Sequence, residues 1–415
     1  TYTHHVSDVP TIDSVTVVSP SQVRMNCGFP CPELGTVTLA DLPIIPEHVW
    51  SAVPPEQAKE VTTLPVGTGP YRLVGYDSTS GYRFEANPDY FAGNPVVDEL
   101  VMPVITDPSA TFTALRSGEI DATSRPLAPE LIEQFSASDD LAVVQTAPLQ
   151  FPELRINYER APFDEPAFRT AMTRAVDRDQ LLEVAGLGKG RPSVQGYPHP
   201  DAPFANPSLS TPYAPAEAAS ILDDLGFVDT DADGVREGPE GPLRFSIYAN
   251  GGEPTGVRAA ELVAEDLREV GVDARAEALD AGSLADLSTS RDYDLVIGSI
   301  GPHGVADPTQ FIMSHRSGYL WRAPKIGYPE WDGLFERWKA TTTNVDRLAV
   351  LQEMQTLFNR QPTSIPLYYP DEYWAFRRDR FAGWVESPGH GVVHKWSLLP
   401  PEVGRDANAV VVARG

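Results

Sequence analysis

The order of apolar patterns between residues 244 and 300 constrains this chain more than any other feature. "RFSIYA" reads as a strand over 244–249, followed by a turn-rich loop. Ala259, Leu262, Val263, Leu267 and Val270 then recur at helical spacing, and Gly271 ends that helix. "VDARAEAL" alternates as a strand, a short helix follows, and "DLVIGSI" reads as a buried strand. Strands joined through helices do not pair as hairpins. They lie side by side in a mainly parallel sheet with helices on its faces, so the chain is of the α/β class. Such sheets bind ligands beyond the carboxyl ends of their strands, which here are the loops 250–254 and 299–307.

Two further stretches are helical. In "FDEPAFRTAMTRAVDRDQLLEVAGLGKG", Asp164 is expected to cap a helix that Pro166 enters, with Phe168, Ala171, Met172, Ala175 and Val176 on one face and Gly186 near its end. In "NVDRLAVLQEMQTLFNRQPTSIPLYY", Asn344 is expected to cap a helix with Leu348, Leu351, Met354 and Phe358 on its apolar face, and "SIPLYY" returns as a strand. The glycines of "PVGTGPYRLVGYD" resemble a phosphate cradle only in composition. Pro70 removes an N–H, no lysine follows, and "YRLVGY" is a strand rather than a helix start, so these glycines form a turn feeding a strand. "GLGKG" follows a helix, which excludes a dinucleotide fingerprint there.

Charge narrows the partners. The 415 residues allow two or three domains, and 58 acidic against 32 basic side chains give a formal charge of −26 spread along the chain. That field repels phosphate backbones and anionic lipid, which argues against nucleic-acid partners. No run approaches the ~20 apolar residues of a membrane span. "TYTHHVSDVP" has neither the basic flank nor the apolar core of a secretory signal, so the expectation is a removed signal or a chain that starts partway through its gene product. Cys27 and Cys31 lack the C-x-x-C redox spacing and have no partners for zinc. In an exported protein they close a structural disulfide, and in the cytosol they are two small buried thiols.

Chemical constellations are thin. Asp229, Asp231, Asp233, Gly234 and Glu240 fit the spacing of an EF-hand calcium loop, although Arg236, Pro239 and the strand that follows depart from that pattern. An acidic hairpin turn would give the same letters. The eight histidines are scattered, and neither H-E-x-x-H nor G-x-S-x-G occurs. No catalytic residues are assigned.

One resemblance runs through the chain. "LPVGTGPYRLVGYD", "YRFEANPDYFAGNPVVDELVMPVITDPSATFTALRSGEIDA", "RINYERAPFDEPAFRTAMTRAVDRDQLL", "DADGVREG" and "SIPLYYPDEYWAF" resemble, in order, the family 5 extracellular solute-binding proteins. These are ABC-importer receptors for oligopeptides, dipeptides, nickel complexes and some oligosaccharides. The resemblance implies a two-lobed periplasmic-binding-protein-like fold of type II, cluster C, whose cleft closes on a solute with no bond made or broken. It places the end of a small extra domain and the return to lobe I at 1–45, lobe I at 46–150, lobe II at 151–375, and a second return to lobe I at 376–415. Part of the N-terminal lobe and of the extra domain is expected to be missing from this chain. The implied setting is extracellular or periplasmic, including a lipid-anchored form, with a monomeric receptor, a membrane permease as partner, and no cofactor beyond the calcium reading of the Asp229 loop.

The resemblance also bears on the ligand. Peptide-binding members often carry a tryptophan and an aspartate where this chain has Gly301 and Gly304, and dipeptide binders carry an arginine at about the position of Asn250. A dipeptide specialist is therefore disfavoured, since both charged ends would lose water uncompensated. The remaining candidates, Tyr248, Asn250, His303, Tyr319, Trp321 and Trp374, are polar, neutral or aromatic and suit a longer peptide or sugar rings. Oligopeptide ranks first and oligosaccharide second. A metal–chelate receptor and a peptide or glycan hydrolase are the other readings.

Overall fold

The computed structural model describes residues 12–31, 34–35, 39, 44–54, 57–58, 65–146, 150–193, 199–200, 202–300, 308–317, 329–387 and 389–400. Contacts divide the chain into two units. One takes in the described parts of Leu39–Ala147 and Glu372–Gly415, the other those of Thr3–Thr38 and Pro148–Asp371.

The second unit is built on a five-stranded sheet of β1 (Phe151–Ile156), β2 (Arg244–Asn250), β3 (Asp273–Leu279), β4 (Leu295–Ile300) and β5 (Ser364–Pro366), in the spatial order β3-β2-β4-β1-β5. β2 runs parallel to β3 and β4, as the helical connections require, while β1 is antiparallel to both β4 and β5. The helix Pro254–Glu269 ends where expected. Gly271 takes φ +85, a conformation that disfavours side chains, and Val272 N–H returns to the Leu267 carbonyl.

Alternation sorts the sheet into two faces. Leu154, Ile156, Ile247, Ala249, Leu295, Ile297 and Ile365 point into one core. There they meet Ala259, Leu262, Val263 and Leu267 of the helix and Phe168, Met172 and Leu181 from 166–184. Phe151 faces the other way, into a second core with Phe311, Trp331, Met354, Phe358 and Tyr369.

The stretch from 164 to 186 departs from the single helix expected. Glu165, not Asp164, accepts the Ala167 N–H, and the helix Pro166–Ala175 stops at Val176, whose backbone is extended. A second helix, Arg178–Val184, begins under Asp177, whose carboxylate accepts the N–H groups of Asp179 and Gln180. The break is held from both sides. Asp266, on the helix 254–269, accepts the Asp177 N–H at 2.8 Å. The buried Arg178 guanidinium donates to the carbonyls of Thr173, Val176, Thr211 and Pro366. Burial pushes the Asp266 carboxyl up to about 7, and the nearby charges of Asp177, Glu269 and Glu265 push in the same direction against that N–H bond. The helix Asn344–Arg360 forms as expected, but Thr343 caps it, its hydroxyl accepting the Asp346 N–H.

A hairpin, Ile12–Ser19 with Gln22–Cys27, also belongs to the second unit. Cys27 and Cys31 are disulfide-bonded, as an exported protein allows. Inside the five-residue loop they close, Phe29 packs 6.1 Å from Trp338. Arg347 stacks over that indole at 4.6 Å and donates to the Pro30 carbonyl. These contacts tie the loop that follows the hairpin to helices of the second unit, while Leu39, Ile44 and Ile45 fall in the first. A thiol titration of the unfolded, unreduced chain is expected to read close to zero, and a titre of two would refute the bond.

The first unit is organised around Phe112, Leu115, Leu127, Phe135, Leu141 and Ala375. Asp107 caps the helix Pro108–Ser117, accepting the Ala110 N–H, and the strand Leu141–Thr146 pairs antiparallel with Glu372–Arg377. The "YRLVGYD" stretch is a strand, Tyr71–Asp77, in a three-stranded sheet with Gly81–Ala86 and Glu99–Met102.

Candidate functional site

The carboxyl ends of β2, β3 and β4 lie at Asn250, Leu279 and Ile300, so the site expected from pattern alone has a definite edge in the second unit. Tyr248 and Asn250 lie on the sheet face opposite the larger core, because Ile247 and Ala249 occupy that core. Tyr248 is half-buried. The Asn250 amide closes its own turn, its Oδ1 accepting the Gly252 N–H and its Nδ2 donating to Glu253 Oε1, each at 3.0 Å. His303, Tyr319 and Trp321, with Gly301 and Gly304, lie outside the described residues.

Trp374 belongs to the first unit and is 4% exposed. Its indole N–H donates to Thr146 Oγ1 at 3.0 Å. Its ring lies so close to Gly391 that a β-carbon there would approach it to 2.3 Å. The side chain is a packed strand residue with its polar atom engaged.

Two charged residues that the sequence reading passed over stand at the same edge. Glu153 and Arg155 alternate with Leu154 and Ile156 on β1, so they share the face of Tyr248 and Asn250. Glu153 is fully buried, and Arg155 Nε donates to its Oε1 at 3.0 Å. Arg155 Nη2 donates to the Ser299 carbonyl at 2.6 Å, and Ser299 Oγ donates to Gln150 Oε1 at 2.9 Å. The available signal was local: two charges at alternate positions of "FPELRI", a strand whose other residues are apolar.

The acidic loop takes a different form from an EF-hand. Asp229, Asp231, Asp233 and Glu237 each place an oxygen within 4.8 Å of the others, and Glu240 is not in that group. Gly238 pairs with Gly241, so Glu240 falls in a hairpin turn and the bidentate ligand expected at the last loop position is absent from the cluster. The loop closes through its own bonds. Asp229 accepts the Gly234 N–H, Asp231 that of Asp233, Asp233 that of Val235 and Glu237 that of Thr230, while Arg244 pairs with Asp233 at 3.1 Å.

Residues 2–320 match the model of the bacterial extracellular solute-binding proteins, family 5. The chain belongs to this family. Among the described residues, no helix of this solute-binding protein is long and apolar enough to cross a membrane. It is 25% identical over 351 residues to di/tripeptide-binding protein 2 of Pseudomonas aeruginosa, an alignment covering 82% of this chain and 63% of that relative. It therefore spans less than two thirds of that relative's length. Its fold matches that of the oligopeptide-binding protein AppA of Bacillus subtilis, solved with a nonapeptide, at a TM-score of 0.80 and 20% identity, covering 94% of this chain and 78% of AppA. The periplasmic oligopeptide-binding protein of Thermotoga maritima, solved with mannohexaose, matches at 0.76 with 20% identity, over 94% and 77% of the two chains. The two-lobed α/β architecture expected from the sequence is thus that of its structural neighbours.

Proposed function

We propose that this protein is a receptor that captures an oligopeptide and delivers it to the membrane permease of an ABC importer, making and breaking no bond. The family match over residues 2–320 carries this reading. The polar edge of the five-stranded sheet supports it, since peptides are held by backbone and side-chain polar groups placed against an apolar scaffold. The names of its relatives support a peptide over a sugar, although the mannohexaose complex of the Thermotoga protein keeps an oligosaccharide as the second reading. The receptor is proposed to act as a monomer outside the cytoplasmic membrane.

Native mass spectrometry of the whole chain mixed with a randomised pentapeptide library, and separately with manno-oligosaccharides, tests this. The expected result is one peptide per chain, recovered intact. Sugar adducts with no peptide adducts would transfer the assignment to oligosaccharide, and cleaved peptides would make the protein a hydrolase.

A further inference from the structure

The setting of Arg155 goes beyond the scaffold it stands on. Its guanidinium lies flat on β4 at Gly298, where a β-carbon would come within 2.4–2.9 Å of Nε, Cζ and Nη2. Any side chain at 298 would displace it. Gly298 pairs with Glu153 on one side. On the other side Tyr248 pairs with Val296, two residues before Gly298, and Asn250 follows Tyr248 on the same face of β2. Neighbouring strands lie about 4.8 Å apart, which sets the guanidinium on the same face as Tyr248 and Asn250, about one strand away.

The donors of this group are only partly used. A guanidinium has five N–H bonds in a fixed plane. Arg155 Nε serves Glu153 and one Nη2 hydrogen serves Ser299, while no acceptor among the described residues meets Nη1. A third of the side chain remains exposed, against none of Glu153. The buried carboxylate holds Nε while the side chain keeps a third of its surface exposed, near the strand ends where a solute is expected. A planar pair of N–H donors matches a carboxylate in geometry and charge better than any neutral acceptor. In a chain of net charge −26, an anionic group needs a fixed cation of this kind at its point of contact.

We propose that Arg155 is a solute-binding residue that takes a carboxylate of the captured peptide, and that Glu153 is a positioning residue holding the guanidinium over Gly298. This rests on the reading of the protein as a peptide receptor, and deepens it by naming the solute as one bearing a carboxylate where it meets this sheet.

The test changes the ligand before it changes the protein. The whole wild-type chain is offered equal amounts of a randomised pentapeptide library made of neutral residues, as free acids and as C-terminal carboxamides, and bound species are counted by native mass spectrometry. Free acids are expected to be retained about tenfold or more over carboxamides, the discrimination worth a charge-assisted bidentate contact. The Arg155→Gln variant is expected to bring that ratio close to one while still binding carboxamides, with Arg155→Lys falling between. The Glu153→Ala variant, which removes the acceptor that fixes Nε, is expected to lower the ratio with Arg155 intact. Glu153→Gln, which keeps an oxygen there, is expected to restore it to at least the wild-type value, a rescue that a role in packing alone would not tie to the carboxylate. Equal retention of acids and amides by the wild type would overturn this assignment and leave the receptor reading standing. A preference for acids that survives in Arg155→Gln would give the carboxylate to another cation. Failure of the wild type to retain either form would overturn the peptide reading and this inference together.

Discussion

Replacing Trp374 with alanine is expected to destabilise its unit by about 3–5 kcal/mol, the cost of emptying a large aromatic site in a packed strand. Trp374 is 4% exposed, rests against Gly391 and donates to Thr146, so the substitution opens a cavity and leaves a buried hydroxyl without its donor. Phenylalanine at the same position keeps much of the ring and loses the hydrogen bond. Its expected cost is about 1 kcal/mol, with peptide capture unchanged. Denaturant melts read the stability, and the same library assay reads capture. A Trp374→Phe variant with wild-type stability that no longer binds peptide would return Trp374 to the solute site.

The second large effect concerns pH. The Asp266 carboxyl is pushed up to about 7 in the fold by burial first and by its acidic neighbours second, against about 3.8 in an unfolded chain. Between those values the folded state binds more protons than the unfolded state. Stability from this group is therefore fully present below pH ~4 and is lost as the pH rises toward 7. Asparagine can still accept the Asp177 N–H and has no proton to lose. The gain from Asp266→Asn is expected to be near zero at about pH 4 and to reach about 2 kcal/mol above pH 7, after screening by solvent. Urea melts of both proteins across that range give the difference. A gain that does not vary with pH would mean that packing, not ionisation, governs the site.

Much of the second unit was legible because its signals are periodic. The strands at 244–250 and 295–300 and the helix 254–269 carry apolar residues at the spacing their geometry demands, and Gly271 marks the end of that helix. The break at Val176 was not legible. Phe168 through Val176 keep helical spacing up to the last residue, and what ends the helix is Asp266, ninety residues away in sequence, taking the Asp177 N–H. The two N-caps were misplaced by one residue each for a related reason. Asp164 and Asn344 are good caps in isolation, and the fold uses Glu165 and Thr343 beside them. At the candidate site, pattern found the edge and the face of Tyr248 and Asn250. It missed Arg155 because the partner that makes room for it, Gly298, lies on another strand, and sequence spacing carries no information on which residues are stacked across a sheet. The packing of Trp374 was not legible either, because an aromatic near a family signature looks the same whether it lines a surface or fills a core.

The pairing of β1 with β5 has a consequence for how this protein is made. Ser364 lies opposite Arg155, so the last edge of the sheet closes a loop on the order of 200 residues. Until the chain has been synthesised past Pro366, β1 has no partner on that side and presents a row of unpaired backbone groups. A nascent or truncated chain ending earlier would hold β1 as an open edge that can pair with a neighbouring copy. The edge of β1 is therefore covered only when one three-residue strand arrives, late in the synthesis of the second unit.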